Sequence, residues 1–131
     1  MKNQVTSIEQ SRLLIGLGVP AEKASMESMD GELKTMDECR QALGAGFGVE
    51  IVPVFTVADL LGMLPRELPN STLGGYMARL AIDFIPDKVG ICYLTGSYVM
   101  LKDHRAIGDD ILTALIAEIE WLLSNGYKLE V

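Results

Sequence analysis

Residues 80–94 read LAIDFIPDKVGICYL, and their period decides the fold. Leu80, Ile82 and Phe84 alternate with Ala81, Asp83 and Ile85, and beyond Pro86-Asp87-Lys88 the residues Val89, Ile91 and Tyr93 alternate with Gly90, Cys92 and Leu94. Successive side chains of a strand point to opposite faces, so a period of two predicts two antiparallel strands joined at the proline turn. Thr95-Gly96-Ser97 supplies a second turn, and Tyr98 to Lys102 is expected to form a third strand of the same meander. The strands are apolar on both sides, which calls for helices or a second subunit to cover much of the sheet.

Beyond these strands the period changes to that of a helix. From Asp109 onward, Ile111, Leu112, Leu115, Ile116, Ile119, Leu122 and Leu123 keep one stripe for four turns, closed by Asn125-Gly126. At the other end of the chain, Thr6 and Glu9 have capping-box spacing, and Ile8, Leu13, Leu14 and Leu17 predict a helix over about 7–17 that stops at Gly18. Pro20 can open a short further turn. In residues 26–36, MESMDGELKTM, Asp30-Gly31 is a hairpin signal with poorly alternating flanks, giving a weak hairpin or loop. Thr35 and Glu38 have the spacing to start a short helix through Leu43. Val49 to Phe55 reads as a strand that, with Pro53 inside it, belongs at an edge or ends early. Thr56 and Asp59 then cap a helix carrying Val57, Leu60, Leu61 and Leu64, and RELPNSTLGG, residues 66–75, is loop chemistry. The expected fold is therefore α+β: one domain, 1–131, with a small antiparallel sheet of three to five strands packed against N-terminal and C-terminal helices.

Gly44, Gly46 and Gly48 invite comparison with a phosphate-binding loop. Such loops follow a strand and open a helix, so that helix amides face the phosphate. Here the glycines follow an expected helix and precede a strand, and no Lys-Ser or Lys-Thr pair accompanies them. They are read as a helix stop and connector.

The 18 acidic and 11 basic residues give a formal charge of −7. Nucleic-acid binding draws its affinity from clustered Lys and Arg, which this sequence lacks, so no nucleic-acid partner is expected. The longest uncharged run, Val89 to Leu101, is 13 residues and is broken by glycines, too short for a membrane span. The N-terminal residues carry no secretory pattern, and a cytoplasmic location is expected. Cys39 and Cys92 lack metal-site spacing and are expected to be reduced and buried. No cofactor or metal is expected.

Residues that could carry chemistry are few. His104, the single histidine, lies in the polar connector KDHRAIGDD and is expected to be solvated. Catalysis would require Cys92, His104 and a carboxylate to converge around an enclosed hollow. Glu118 and Glu120 point in different directions on the last helix; Glu118, near the edge of the apolar stripe, is expected to meet a Lys or Arg. Trp121 is expected to pack between helix and sheet. Met26, Met29 and Met36 form a candidate contact surface, because flexible thioethers suit adaptable interfaces. Arg66 and Arg79 flank the 66–79 loop and could contact an anion there.

Three stretches taken together, SIEQSRLLIGLGVPAEKASM (7–26), VPVFTVADLLGMLP (52–65) and IEWLLSNGY (119–127), resemble a group of small uncharacterised proteins of gut Bacteroides and relatives, often carried by prophages or other mobile elements. The matching positions are Ile8, Glu9, Gln10 and Ser11; Leu17 and Gly18; Pro53, Phe55 and Thr56; Leu60 and Leu61; and Trp121, Leu122, Leu123, Asn125 and Tyr127. Phe55 stands where tryptophan is commoner in the group, and the Gly44–Gly48 cluster is a departure from it. The resemblance implies an α+β domain of mobile-element origin and no particular activity. The expected function is a non-enzymatic accessory interaction protein with a protein partner. Two alternatives stand beside it: a small-ligand module or small enzyme with a pocket near the 66–79 loop, and a homo-oligomeric structural protein.

Overall fold

A computed structural model describes residues 5–29, 32–35, 51–69, 77–96 and 98–131. Thr35, expected to open a helix, ends a strand instead, while residues 36–43 of that helix, Cys39 among them, and the glycine cluster at 44–48 lie outside the described residues. The chain divides into two compact units, with the boundary between Leu60 and Leu61 and with Val131 belonging to the first unit. Together they hold two antiparallel sheets and three α-helices among the described residues, an α+β fold.

In the first unit, α1 spans Ile8–Gly16, β1 Met26–Met29, β2 Glu32–Thr35 and β3 Ile51–Val54. The capping box of α1 lies one residue later than the sequence spacing suggests: Ser7 accepts from the Gln10 amide, and Gln10 accepts from the Ser7 amide. Thr6 is taken by the interior instead. Its hydroxyl pairs with that of Ser11 at 2.7 Å and accepts the Phe55 amide at 2.9 Å, so both hydroxyls are buried and satisfied. The helix consequently buries Ser11 and Leu14 and leaves Leu13 46% exposed, a different stripe from the one expected. Gly18 takes φ +104, the left-handed turn that ends the helix. The three strands run in the order β2-β1-β3, which makes β1 and β2 a hairpin and places Pro53 on an edge strand, where its missing N–H is tolerated. The helix α1 packs on β3.

The helix α2, Val57–Met63, starts in the first unit with the expected reciprocal cap between Thr56 and Asp59. The same Asp59 oxygen also accepts the Ser25 amide and hydroxyl.

In the second unit, β4 Glu67–Pro69, β5 Met77–Ile85, β6 Lys88–Leu94 and β7 Ala106–Gly108 run in the order β4-β5-β6-β7, all antiparallel. The strand β4 occupies part of the stretch read as loop. The expected third strand over Tyr98–Lys102 does not form. Met100 makes one isolated bridge to Leu94, and the chain then enters a 3-10 turn, Leu101–Asp103, in which Lys102 (φ +53) and Asp103 (φ +52) are left-handed. Two consecutive left-handed residues cannot continue a pleated strand, so the meander resumes only at Ala106. Its register pairs Val89 with Gly108 and Ile91 with Ala106.

The helix α3, Ile111–Ser124, lies on β6 and β7. Asp110 caps it by accepting the Thr113 amide, and Gly126 (φ +80) follows its last turn. Leu112, Leu115, Ile116, Ile119 and Leu122 are all buried. Each such side chain contributes about 1.5–3 kcal/mol before entropic costs, so α3 holds this unit together. Gly108 lets the helix come this close: a Cβ there would sit 2.6 Å from the Ala114 amide nitrogen.

Candidate functional site

The most distinctive polar arrangement lies where α3 crosses the strand edge. His104 follows the left-handed pair and is itself extended, with φ −106 and ψ 135. Strand alternation then turns His104, Ala106 and Gly108 to one side and Arg105 and Ile107 to the other. Burial agrees: Ala106 and Gly108 are buried beneath α3, while Arg105 and Ile107 are exposed. The sequence thus delivers one imidazole to the helix-covered face of the sheet.

Glu118 awaits it there. It stands four residues from both Ala114 and Leu122, so the helical repeat places it on the buried stripe rather than at its edge. All three residues are 0% exposed. His104 Nε2 lies 3.0 Å from Glu118 Oε2. Trp121, one turn beyond Glu118, stacks on the imidazole with centroids 4.1 Å apart and planes within 1°. Tyr127 packs on Trp121 at 5.8 Å, and the Lys102 ammonium lies 5.1 Å from the Tyr127 ring centroid. A run of contacts from Lys102 through Tyr127, Trp121 and His104 therefore ends on one buried carboxylate.

That carboxylate is incompletely satisfied. Oε1 has no hydrogen-bond partner. The Ala106 backbone favours the charged form weakly, without reaching hydrogen-bond geometry at Oε1. Burial dominates and pushes the Glu118 carboxyl up to about 7. Burial also holds the His104 imidazole below its ordinary value. Both effects disfavour charge, so just below neutrality the two groups hold one proton between them, either as O–H donating to the imidazole or as an imidazolium donating to the carboxylate.

These contacts correct two expectations and make a third specific. His104 is not a solvated loop residue: its side chain is 22% exposed and has a partner. Glu118 meets that histidine rather than a Lys or Arg, because the interior position it occupies admits a short planar group from the adjoining strand edge and Arg105 is turned to the opposite face. Trp121 packs on an imidazole. Cys92 does not complete a catalytic set. It is buried with a free thiol, and burial together with the nearby Glu118 raises its pKa, so the reactive thiolate is suppressed. Among the described residues no group of three or more His, Cys, Asp or Glu is placed to hold a metal ion.

The remaining candidates lie elsewhere. Arg79 is exposed and pairs with Glu67, its cross-strand neighbour, at 3.8 Å; Arg66 is exposed just before β4. Beside this pair an open concavity of about 670 Å³ is lined by Glu67, Met77, Arg79, Leu94, Thr95 and Tyr98, among others. Met26 is half-buried in β1, Met29 ends that strand, and Met36 lies outside the described residues. Among the described residues no helix is long and apolar enough to cross a membrane. No family model, curated protein or solved structure matches the chain.

Proposed function

We propose that this chain is a non-enzymatic accessory interaction protein, cytoplasmic and of mobile-element origin, that engages a protein partner at the concavity on its four-stranded sheet. The carrying observation is the lining: Tyr98, 84% exposed, and Met77, 44% exposed, border the concavity together with Leu80, Ala81 and Leu94. Large side chains held in water around a concave apolar floor are the anatomy of a protein contact, in which aromatic and methionine anchors dominate the energetics. The flanking Arg79 and Glu67 supply a polar rim of both signs. An enzyme reading is supported less well, because Cys92 is held as a thiol and no nucleophile faces His104 among the described residues.

The test is capture by immobilised protein against the double variant Met77→Asp with Tyr98→Asp, whose sites are exposed enough to preserve the fold. A partner held by the wild type and lost by the variant, at unchanged melting temperature, supports the reading. Equal capture by both, or by neither, removes it. The small-ligand alternative rests on the same concavity, and a thermal shift with inorganic phosphate that disappears in Arg79→Ala would favour it instead.

A further inference from the structure

Glu118 contributes nothing to the proposed contact surface, yet it occupies an expensive position: fully enclosed, ionisable, and with one oxygen unanswered. A carboxyl retained in such a place is stable only while it is neutral or paired with a cation. Its partner arrives from the least relaxed backbone of the unit, since Lys102 and Asp103 both hold positive φ immediately before His104. Left-handed backbone at non-glycine residues persists only where the surroundings enforce it. In this connector the turn's own backbone bonds, Asp103 N–H to the Met100 carbonyl and His104 N–H to the Leu101 carbonyl, are joined by the bond from His104 to Glu118 and the stack of the imidazole on Trp121, the two contacts that tie the turn to α3.

We propose that the His104–Glu118 pair is a proton-operated latch: with one proton between them it fastens the Leu101–Asp103 turn and the β7 edge to α3, and loss of that proton to solvent releases them. The direction follows from burial. Removing the proton changes the pair from net neutral to a carboxylate at a 0% exposed site, whereas His104 keeps 22% of its side chain in contact with water. The carboxylate is therefore the group whose charging the fold tolerates least.

Among the described residues the neighbours offer no compensating cation. From β6, Cys92 and Tyr93 feel Glu118, and burial raises both of their pKa values, so they stay neutral through the relevant range. From the connector, the Lys102 ammonium is engaged over Tyr127, and Asp103 is exposed and of the same sign as a charged Glu118. Beside β7, Arg105 faces away toward Asp83 at 3.8 Å. Ahead of α3, Asp110 is committed to the cap and Asp109 to Lys88, and on the helix Glu120 is exposed. From the C-terminal segment only Tyr127 joins the stack, with Lys128 and Glu130 exposed. With the Glu118 carboxyl raised to about 7, the transition falls in the physiological range.

The experiment follows the Glu118 side-chain carboxyl carbon by NMR, together with amide hydrogen exchange over Lys102–Gly108, from about pH 5.5 to 8.5. The expected result is a carboxyl midpoint near 7, and exchange in this segment that accelerates at least about tenfold beyond the intrinsic base-catalysed rate across that midpoint, while α1 amides show no such excess. In Glu118→Gln, which cannot ionise, the excess should vanish. A carboxyl midpoint below about pH 5, a segment whose corrected exchange is flat, or an unchanged excess in Glu118→Gln would each overturn the latch. The carboxyl titration is read on the wild type, so it tests the latch even if the variant folds poorly.

Discussion

The helices α1 and α3 each pack over polar side chains, and they do so in opposite ways. Beneath α1, Thr6 and Ser11 form a neutral hydroxyl pair whose members are each satisfied, Thr6 by the Phe55 amide and Ser11 by the Ser7 carbonyl at 2.7 Å. Beneath α3, Glu118 and His104 form an ionisable pair with one oxygen left over. The first arrangement has a single state at every ordinary pH. The second has a state that depends on proton supply, and the difference lies in the chemistry of the side chains rather than in depth, since Ser11 and Glu118 are both 0% exposed.

The largest separation between the two should appear in stability against pH. A Glu118 carboxyl raised from 4.5 to about 7 means that the native state keeps a proton that the unfolded chain has lost, so this contribution is complete below pH 4.5 and is lost as pH rises to about 7. His104 is lowered by burial and acts in the opposite sense, its contribution being lost as pH falls below 6.5. The two slopes oppose each other just below pH 6.5, so the wild-type curve alone conceals them. Urea denaturation of Glu118→Gln beside the wild type separates them: the stability difference should change by roughly 3 kcal/mol in favour of the variant between pH 4.5 and 8. A constant difference would mean that Glu118 titrates normally.

Next in size is Gly108→Ala. The added methyl would meet the Ala114 backbone nitrogen at 2.6 Å and Thr113 Cβ at 2.9 Å, which forces α3 off β7 and loosens the polar pair below it. A loss of about 2 kcal/mol is expected, with a new pH dependence of the Trp121 fluorescence. Thr6→Val should cost about 1.5 kcal/mol by stranding the Phe55 amide, and by the same amount at pH 5.5 and 8.5, because nothing in that pair ionises. The smallest effect belongs to Lys88→Ala, which breaks an exposed ion pair with Asp109 and should leave the denaturation midpoint unchanged in 0.5 M salt.

Local rules and long-range demands divide what the sequence could reveal. The helices α2 and α3, the turns at Gly18 and Gly126 and the edge position of Pro53 depend on residues within one turn of each other, and all were legible. The α1 cap falls one residue from its expected place because Thr6 and Ser7 both fit the spacing, and the choice is made by Phe55, 49 residues away. The third strand fails because alternation in Tyr98–Lys102 carries no mark of the left-handed pair that ends it. At the candidate site, a stricter use of the helical repeat puts Glu118 on the buried stripe and demands a partner. Naming His104 as that partner requires knowing that the connector leaves the sheet and returns beside β6, which no local pattern encodes.

The free thiol of Cys92, enclosed at 5% exposure and held protonated, turns the strand β6 into a clock for its own breathing. An alkylating reagent can reach that sulfur only during moments when the sheet parts, so the rate at which the peptide bearing Cys92 gains mass measures how often the second unit opens in otherwise native protein.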